Sequence, residues 1–298
     1  MPSPEPSAII TRSDAVARGM TDRELARLER VARGLYRTSP EQQRYPEAGH
    51  REVALAIAGR AASHNSVVSH HSAATIHRLP MLRPDLSRLH LTRREGKEGN
   101  RRRTRHTHPG PLGDEEIVVV EGVVVTTIER TAIDVARGSD FAEALTVVDS
   151  ALRAGADHDL MAQLCERSRQ RGIAVARCAV ATGSPLAANP GESWSRAQMI
   201  VAKFPSPGLQ RELWVEGTQY FVDFDFAGEV VGEFDGQRKY TKDLRPGEDA
   251  SQAVIREKNR ENAIRSTGAE VVRWDWNDLG AGRMIPRLGR ALRGRRLI

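Results

Sequence analysis

The chain has 298 residues, 39% of them hydrophobic, and its 45 Lys and Arg against 39 Asp and Glu give a formal net charge of +6. That length predicts two or three units with ordinary cores. No run approaches the roughly 18 apolar residues of a membrane span, and the start "MPSPEPSAII" lacks a basic segment followed by an apolar one. Cys165 and Cys178 lack C-x-x-C spacing, which excludes a disulfide framework and suits reduced thiols. The expectation is a cytoplasmic protein, its basic balance favouring a polyanionic partner such as nucleic acid.

In chain order, "TRSDAVARG" and "MTDRELARLERVARG" read as two short helices parted by Gly19, and Thr21 with Glu24 forms a capping box at the second. Arg23, Arg27 and Arg30 recur at i, i+4 and i+7, so that helix has a basic face. "RGLYRTS" follows as a strand, completing a winged helix-turn-helix over 8–45 in which the three arginines contact DNA. A solvated amphipathic hairpin is the plainer alternative.

Residues 46–183 read as a mixed α/β middle region. "HREVALAIAGRAA", "SHHSAATIHRL", "ERTAIDVARG", "FAEALTVVDSALRAG" and "DLMAQLCERSRQRG" are helical, while "RLHLTRR" and "EEIVVVEGVVVTTI" are strand-like. The glycine-broken basic stretch "TRREGKEGNRRRTRHTHPG" reads as a hairpin arm able to touch phosphates, or as a solvated loop. Within it His106 and His108 could share a metal, a weak signal without Cys partners, and His70 and His71 are expected to cap or pack against a helix. "GSPLAANPGES" marks the boundary of a last domain, 186–298.

That domain contains five carboxylates in the thirteen residues from Asp223 to Asp235. In "YFVDFDF", alternation puts Val222, Phe224 and Phe226 on one face and Asp223 and Asp225 on the other; in "EVVGEFDG" it groups Glu229, Val231, Glu233 and Asp235. A two-residue turn at Ala227-Gly228 would separate Asp223 from Glu233, whereas a three-residue turn, Ala227 to Glu229, sets Asp223 opposite Glu233 and Asp225 opposite Val231. Opposed carboxylates repel unless a cation or proton lies between them, so these strands are expected to hold Mg²⁺ or Mn²⁺. Charged edge strands that discourage aggregation are the alternative.

At these residues the chain resembles the PD-(D/E)xK, or restriction-endonuclease-like, superfamily in its very-short-patch-repair-like branch. The likeness lies in "NPGESWSRAQMIVAKF" with Glu192, the "VDF" acid Asp223, "GEFDG" with Glu233 and Asp235, the helix "SQAVIREKNRENAIRSTG" and the strand "AEVVRWDW". It implies a Mg²⁺-dependent endonuclease fold with Asp223 and Glu233 as metal ligands and Glu192 as a further acid. The family's lysine, two residues after the glutamate, is Asp235 here. Asp235 would then serve as a third ligand or activate a water, with Lys239, Lys258 or Arg256 returning the positive charge, or else the site is silent. Arg256, Lys258 and Arg260 of the basic helix are expected to track phosphates.

The front of the chain, through "ITRSDAVARGMTDRELARL", "VVSHHSAATIHRLP" and "VVVTTIERTAIDVAR", resembles AbiEi-type winged-helix antitoxins and transcriptional regulators. That resemblance implies a DNA-binding regulator with a nucleotidyltransferase toxin as partner. The fold expected is therefore α/β multidomain: winged helix, mixed middle region and endonuclease-like domain. Two functions follow, a metal-dependent DNA endonuclease or a non-catalytic DNA-binding antitoxin retaining a silent nuclease fold.

Overall fold

The computed structural model describes residues 9–32, 34–38, 46–60, 65–95, 98–236 and 249–298. The described residues form a mixed α/β structure with three sheets, and the chain's contacts group into two units, Met1–Gly138 with Ala156–Ile173, and Ser139–Gly155 with Ala174–Ile298. Among the described residues no helix is long and apolar enough to cross a membrane.

The N-terminal unit opens with β1 (Ile9–Thr11), α1 (Arg12–Ala17), α2 (Asp22–Leu25), β2 (Glu29–Ala32) and β3 (Leu35–Arg37), the strands forming an antiparallel sheet in the order β1-β3-β2. Ile10, Ala15 and Leu25 form its core with Met20, Leu28 and Tyr36 packed against them. The Thr21–Glu24 capping box is present, but the helix it starts ends at Leu25. Gly34, at φ 71, reverses the chain, and Arg30 pairs with Tyr36 across the resulting ladder. Cross-strand pairing thus overrides the helical propensity of "LERVA". Arg23 lies on α2, Arg27 in the following turn and Arg30 on β2, so the expected single basic helix face does not form, although all three are exposed.

The unit continues through α3 (Pro46–Arg60), β4 (Ser66–Val68), α4 (His70–Ile76), β5 (Leu89–Arg93), β6 (Asn100–Arg101), β7 (Arg105–Pro109), β8 (Ile117–Val120), β9 (Val123–Thr126) and α5 (Ile128–Arg137). After α6 (Phe141–Arg153), which belongs to the other unit, it ends with α7 (His158–Arg167). Its mixed sheet runs β6-β7-β5-β4-β9-β8, with Val68, Leu89, Leu91, Val123 and Val125 packed on Ala54, Ala73 and Ile76. Part of the stretch expected as a loose arm is therefore strand: β7 pairs in parallel with β5.

The C-terminal unit comprises α6, α8 (Ile173–Thr182), α9 (Pro190–Val201), β10 (Gly208–Val215), β11 (Thr218–Phe226), β12 (Val230–Asp235), α10 (Ala250–Ser266), β13 (Glu270–Asp275), α11 (Trp276–Gly280) and α12 (Met284–Gly294). Contacts thus place α6, read from sequence as middle region, with α9. The sheet runs β10-β11-β12-β13, antiparallel except for the last, parallel pair. On one face Phe224, Phe226, Val230, Phe234 and Trp274 pack with Met199, Leu279 and Leu288; on the other Val222 and Val231 pack with Ile264 of α10 and Ala269.

Two features seat α9 on this sheet. A Cβ on Gly191 would overlap the Phe234 ring, so glycine lets the helix start close to β12. The buried Trp274 indole Nε1 donates to Ser195 Oγ at 2.7 Å, tying β13 to the same helix.

Candidate functional site

The β11–β12 register is Phe224↔Gly232, Asp225↔Val231 and Phe226↔Val230, the pairing of the three-residue turn. Ala227 and Gly228 both take positive φ, 54 and 76, and Glu229 N donates to Phe226 O at 3.0 Å to close that turn. Asp225 is buried and structural: it accepts from Gly228 N at 3.1 Å and pairs with Arg211. Glu229 pairs with Arg295 at 3.2 Å, so it too lies outside the acid cluster.

Asp223 is where the alternation expected along "YFVDFDF" breaks, since Val222 and Phe224 pack on opposite faces of the sheet. Its Oδ2 accepts from Phe234 N at 2.8 Å, satisfying a backbone donor just past the last Phe224↔Gly232 pair. Gln210 lies on β10 between the paired Leu209 and Arg211 and has φ 46, a conformation that costs a non-glycine residue about 1 kcal/mol. This geometry lets its Nε2 donate to both Glu192 Oε2 at 3.2 Å and Asp223 Oδ1 at 3.3 Å. A strained residue bridging two carboxylates is the kind of outlier that marks a functional site.

Glu192 stands in the first turn of α9, which Asn189 caps by accepting from Gly191 N and Glu192 N. Its carboxylate accepts from Ala188 N at 2.8 Å and Asn189 Nδ2 at 2.6 Å. Burial, then the charge of Asp223, pushes Glu192 up to about 7. Glu233 is likewise pushed to about 7, by burial first and by Asp223 further, against the opposing pull of Arg260. Glu192, Asp223 and Glu233 therefore share one electrostatic environment with Asp223 as the common neighbour.

Arg260 is the cation that pairs directly with Glu233, while Arg273 acts on Glu233 and Arg153 on Glu192. Ile264 packs on the sheet, and Arg260, one helical turn before it on α10, donates from Nη2 to Glu233 at 2.8 and 3.0 Å and to Phe221 O at 2.9 Å. Of the three basic residues expected to track phosphates, Arg260 is thus paired with Glu233, while Lys258 is exposed and Arg256 half-buried. Asp235 ends β12 opposite Asp275, exposed and on the Glu233 side by alternation. Lys239 lies outside the described residues. Gln210 has no local signal in the sequence, and the pairing of Arg260 with Glu233 has none either, because each reaches the acids only through the sheet and the helix laid on it.

The chemistry of the donor set fits a hard divalent cation. Asp223 acts on two buried glutamates that are pushed toward the protonated form, and Arg153, Arg260 and Arg273 offset part of the charge. The raised values also predict a pH dependence. Between about 4.5 and 7 the folded chain keeps protons that the unfolded chain releases, so stability from these groups is greatest at the acid end and declines as pH rises through that window. A shift from 4.5 to about 7 corresponds to roughly 3 kcal/mol per carboxyl. Denaturant titrations at about pH 5 and about pH 8 should show this decline, smaller in Asp223→Asn and partly reversed by Mg²⁺ at the higher pH. Identical pH slopes for wild type and Asp223→Asn would remove the coupling.

Elsewhere, Arg93, Arg102 and Arg105 line a cleft with Asn100, Thr104 and Thr107 in the N-terminal unit. His70 begins α4 and packs against other histidines without capping the helix. His106 and His108 lie on β7. Burial lowers His90 and His108 to about 3, with neighbouring histidines adding to the shift, so both rings are neutral.

No family model matches this chain, and no curated protein matches it. Among solved structures it is similar to the Rv2827c protein from Mycobacterium tuberculosis, at 14% sequence identity and a TM-score of 0.39, over 70% of this chain and 84% of that one. A likeness so distant carries no argument about function.

Proposed function

We propose that the chain is a DNA-binding protein whose C-terminal unit is a metal-dependent, endonuclease-like domain hydrolysing DNA phosphodiester bonds. The observation that carries this reading is the position of Asp223, whose charge acts on both buried glutamates, Glu192 and Glu233, with Arg260 paired to the latter. Asp223 and Glu233 would hold Mg²⁺ or Mn²⁺, with Asp235 completing the set from the end of β12. The ion, when bound, would activate a water and neutralise charge developing on phosphorus. Arg260 occupies the role of the lysine that Asp235 replaces, since it brings a fixed positive charge to the glutamate from another element. Gln210 orients Glu192 and Asp223 by donating to both. Glu192, held near neutral pKa by burial and by Asp223, is suited to move a proton at its Oε atoms.

The N-terminal sheet with its two short helices supports the winged-helix reading: the order β1-α1-α2-β2-β3, with β3 between β1 and β2, is that of a helix pair followed by a wing. Exposed Arg23, Arg27 and Arg30, together with the cleft of Arg93, Arg102 and Arg105, would contact phosphates. Replacing Arg23, Arg27 and Arg30 by alanine should weaken binding to duplex DNA and lower the salt slope of log K by about 3. An unchanged slope in fluorescence-anisotropy titrations would remove these residues from the interface.

The second reading is a non-catalytic, AbiEi-type antitoxin or regulator, with a nucleotidyltransferase toxin as partner and a silent nuclease fold. Asp235 at the lysine position favours it. Incubation of supercoiled plasmid and of single-stranded DNA with the protein and Mg²⁺ or Mn²⁺ decides between them. Metal-dependent nicking that Asp223→Asn abolishes supports the nuclease; intact DNA binding without nicking supports the regulator.

A further inference from the structure

A second constellation of ligating side chains lies in the N-terminal unit, and none of the chemistry above uses it. Three separated segments build it. Ser69, the residue after β4, continues the ladder by donating from its N–H to His90 O at 3.1 Å, and α4 starts on the next residue, His70. β5 and β7 run parallel with His90 opposite His106 and Thr92 opposite His108. His70, His90 and His108 are thereby brought together: the His70 and His108 rings stack with centroids 3.6 Å apart, and His90 Nδ1 lies 3.0 Å from His108 Nε2.

Each of the three offers a ring nitrogen, and these nitrogens all lie within 4.8 Å of one another. On a tetrahedral zinc with Zn–N of about 2.0 Å, two ligating nitrogens stand roughly 3.3 Å apart, so small ring rotations suffice to close the set around one ion. Three further observations point the same way. Among the described residues the buried His90 Nε2 has no hydrogen-bond partner, an arrangement that costs about 1–3 kcal/mol unless a partner arrives. His70 Nδ1 lies 3.0 Å from Ser69 Oγ, which in turn accepts from Thr92 Oγ1 at 2.8 Å, the outer hydrogen bonding that fixes ring orientation in metal-bound histidine. His70 is also held at φ 50, a strained conformation for a residue with a Cβ.

The surrounding charge is near balance. Asp134, which acts on His108, is paired with Arg130 at 2.9 Å and lies 3.7 Å from Arg137, while Glu116 neutralises Arg130 at 2.8 Å.

We propose that His70, His90 and His108 form a three-histidine site for a divalent transition metal, Zn²⁺ by preference, leaving the fourth position to water or another donor. Imidazole nitrogens favour Zn²⁺, whereas the carboxylates of the C-terminal unit favour Mg²⁺ or Mn²⁺, so the chain has two sites of different selectivity. The ion would cross-link α4, β5 and β7, which come from distant parts of the sequence.

The test uses the full chain, stripped with a chelator and titrated with Zn²⁺ against a chromophoric competitor in excess Mg²⁺, which occupies the acids of the C-terminal unit. One equivalent should bind, raising the thermal midpoint, and His90→Ala and His108→Ala should each weaken binding at least about a hundredfold. His158→Ala, at an exposed histidine outside the cluster, and Asp223→Asn should leave binding unchanged. Co²⁺ added to the wild-type protein should give the intense visible absorption of a tetrahedral site, a readout that needs no substitution to fold. Absence of that absorption, or Zn²⁺ binding that survives both histidine substitutions or is lost in Asp223→Asn, would overturn the proposal.

Discussion

Replacing Asp223 with asparagine should lower Mg²⁺-dependent plasmid nicking at least about a hundredfold, the loss expected when some 3 kcal/mol of transition-state stabilisation is removed. Asparagine retains an oxygen able to accept from Phe234 N, and its Nδ2, which then faces Gln210, meets an acceptor once that amide turns to present Oε1, so the junction between β11 and β12 keeps its hydrogen bond while the charge is lost. Asp223 is the member that acts on both Glu192 and Glu233, and its neutralisation should let both glutamates ionise more readily. The variant should therefore be no less stable than wild type above about pH 7, which separates loss of chemistry from loss of fold. Glu233→Gln should show a similar loss of nicking while freeing Arg260 from its ion pair. Nicking unchanged in both variants would mean that these acids do not carry the activity. Nicking lost together with the thermal midpoint would mean that they are structural.

Asp149→Ala should destabilise the C-terminal unit by about 3–5 kcal/mol, because it leaves a buried guanidinium without its counter-ion. Asp149 on α6 is fully buried and accepts from Ser184 N at 2.8 Å, Ser193 Oγ at 2.8 Å and Arg196 Nη1 at 2.6 Å. Burial pushes its carboxyl up while Arg196 and the other donors pull it down. Ser193 and Arg196 lie within the first two turns of α9, so the same contacts fix the helix that presents Glu192. Removing both charges, as in Asp149→Leu with Arg196→Met, should recover much of the loss, since a well-packed apolar pair avoids the desolvation that an orphaned charge suffers. Urea titrations of the two variants check this. A loss under about 1 kcal/mol in Asp149→Ala would show that the network does not anchor α9.

Features decided within a few residues were legible in the sequence. The Thr21–Glu24 capping box, the Asn189-Pro190 start of α9 and the strand runs of β11 and β12 depend on neighbours along the chain or on alternation, and all are present; of the two turn lengths the sequence allows, the structure takes the three-residue one. Local pattern misled where a distant partner outweighed it. Arg27 and Arg30 continue a helical spacing, yet the antiparallel pairing of β2 with β3 draws Arg30 into a ladder. Alternation along β11 predicts that Val222 and Phe224 share a face, yet they part at Asp223 opposite the left-handed Gln210. The composition and grouping of the charged sites belonged to the tertiary structure alone. Arg260 meets Glu233 because α10 lies on the sheet, Asp149 meets Arg196 because α6 packs on α9, and His70, His90 and His108 meet because β4, β5 and β7 are neighbours in one sheet. By itself the sequence determined the strand runs of β11 and β12 and the acids they carry. Side-chain identity and periodicity act over one turn or one strand pair, whereas convergence across tens of residues is set by the packing of whole elements.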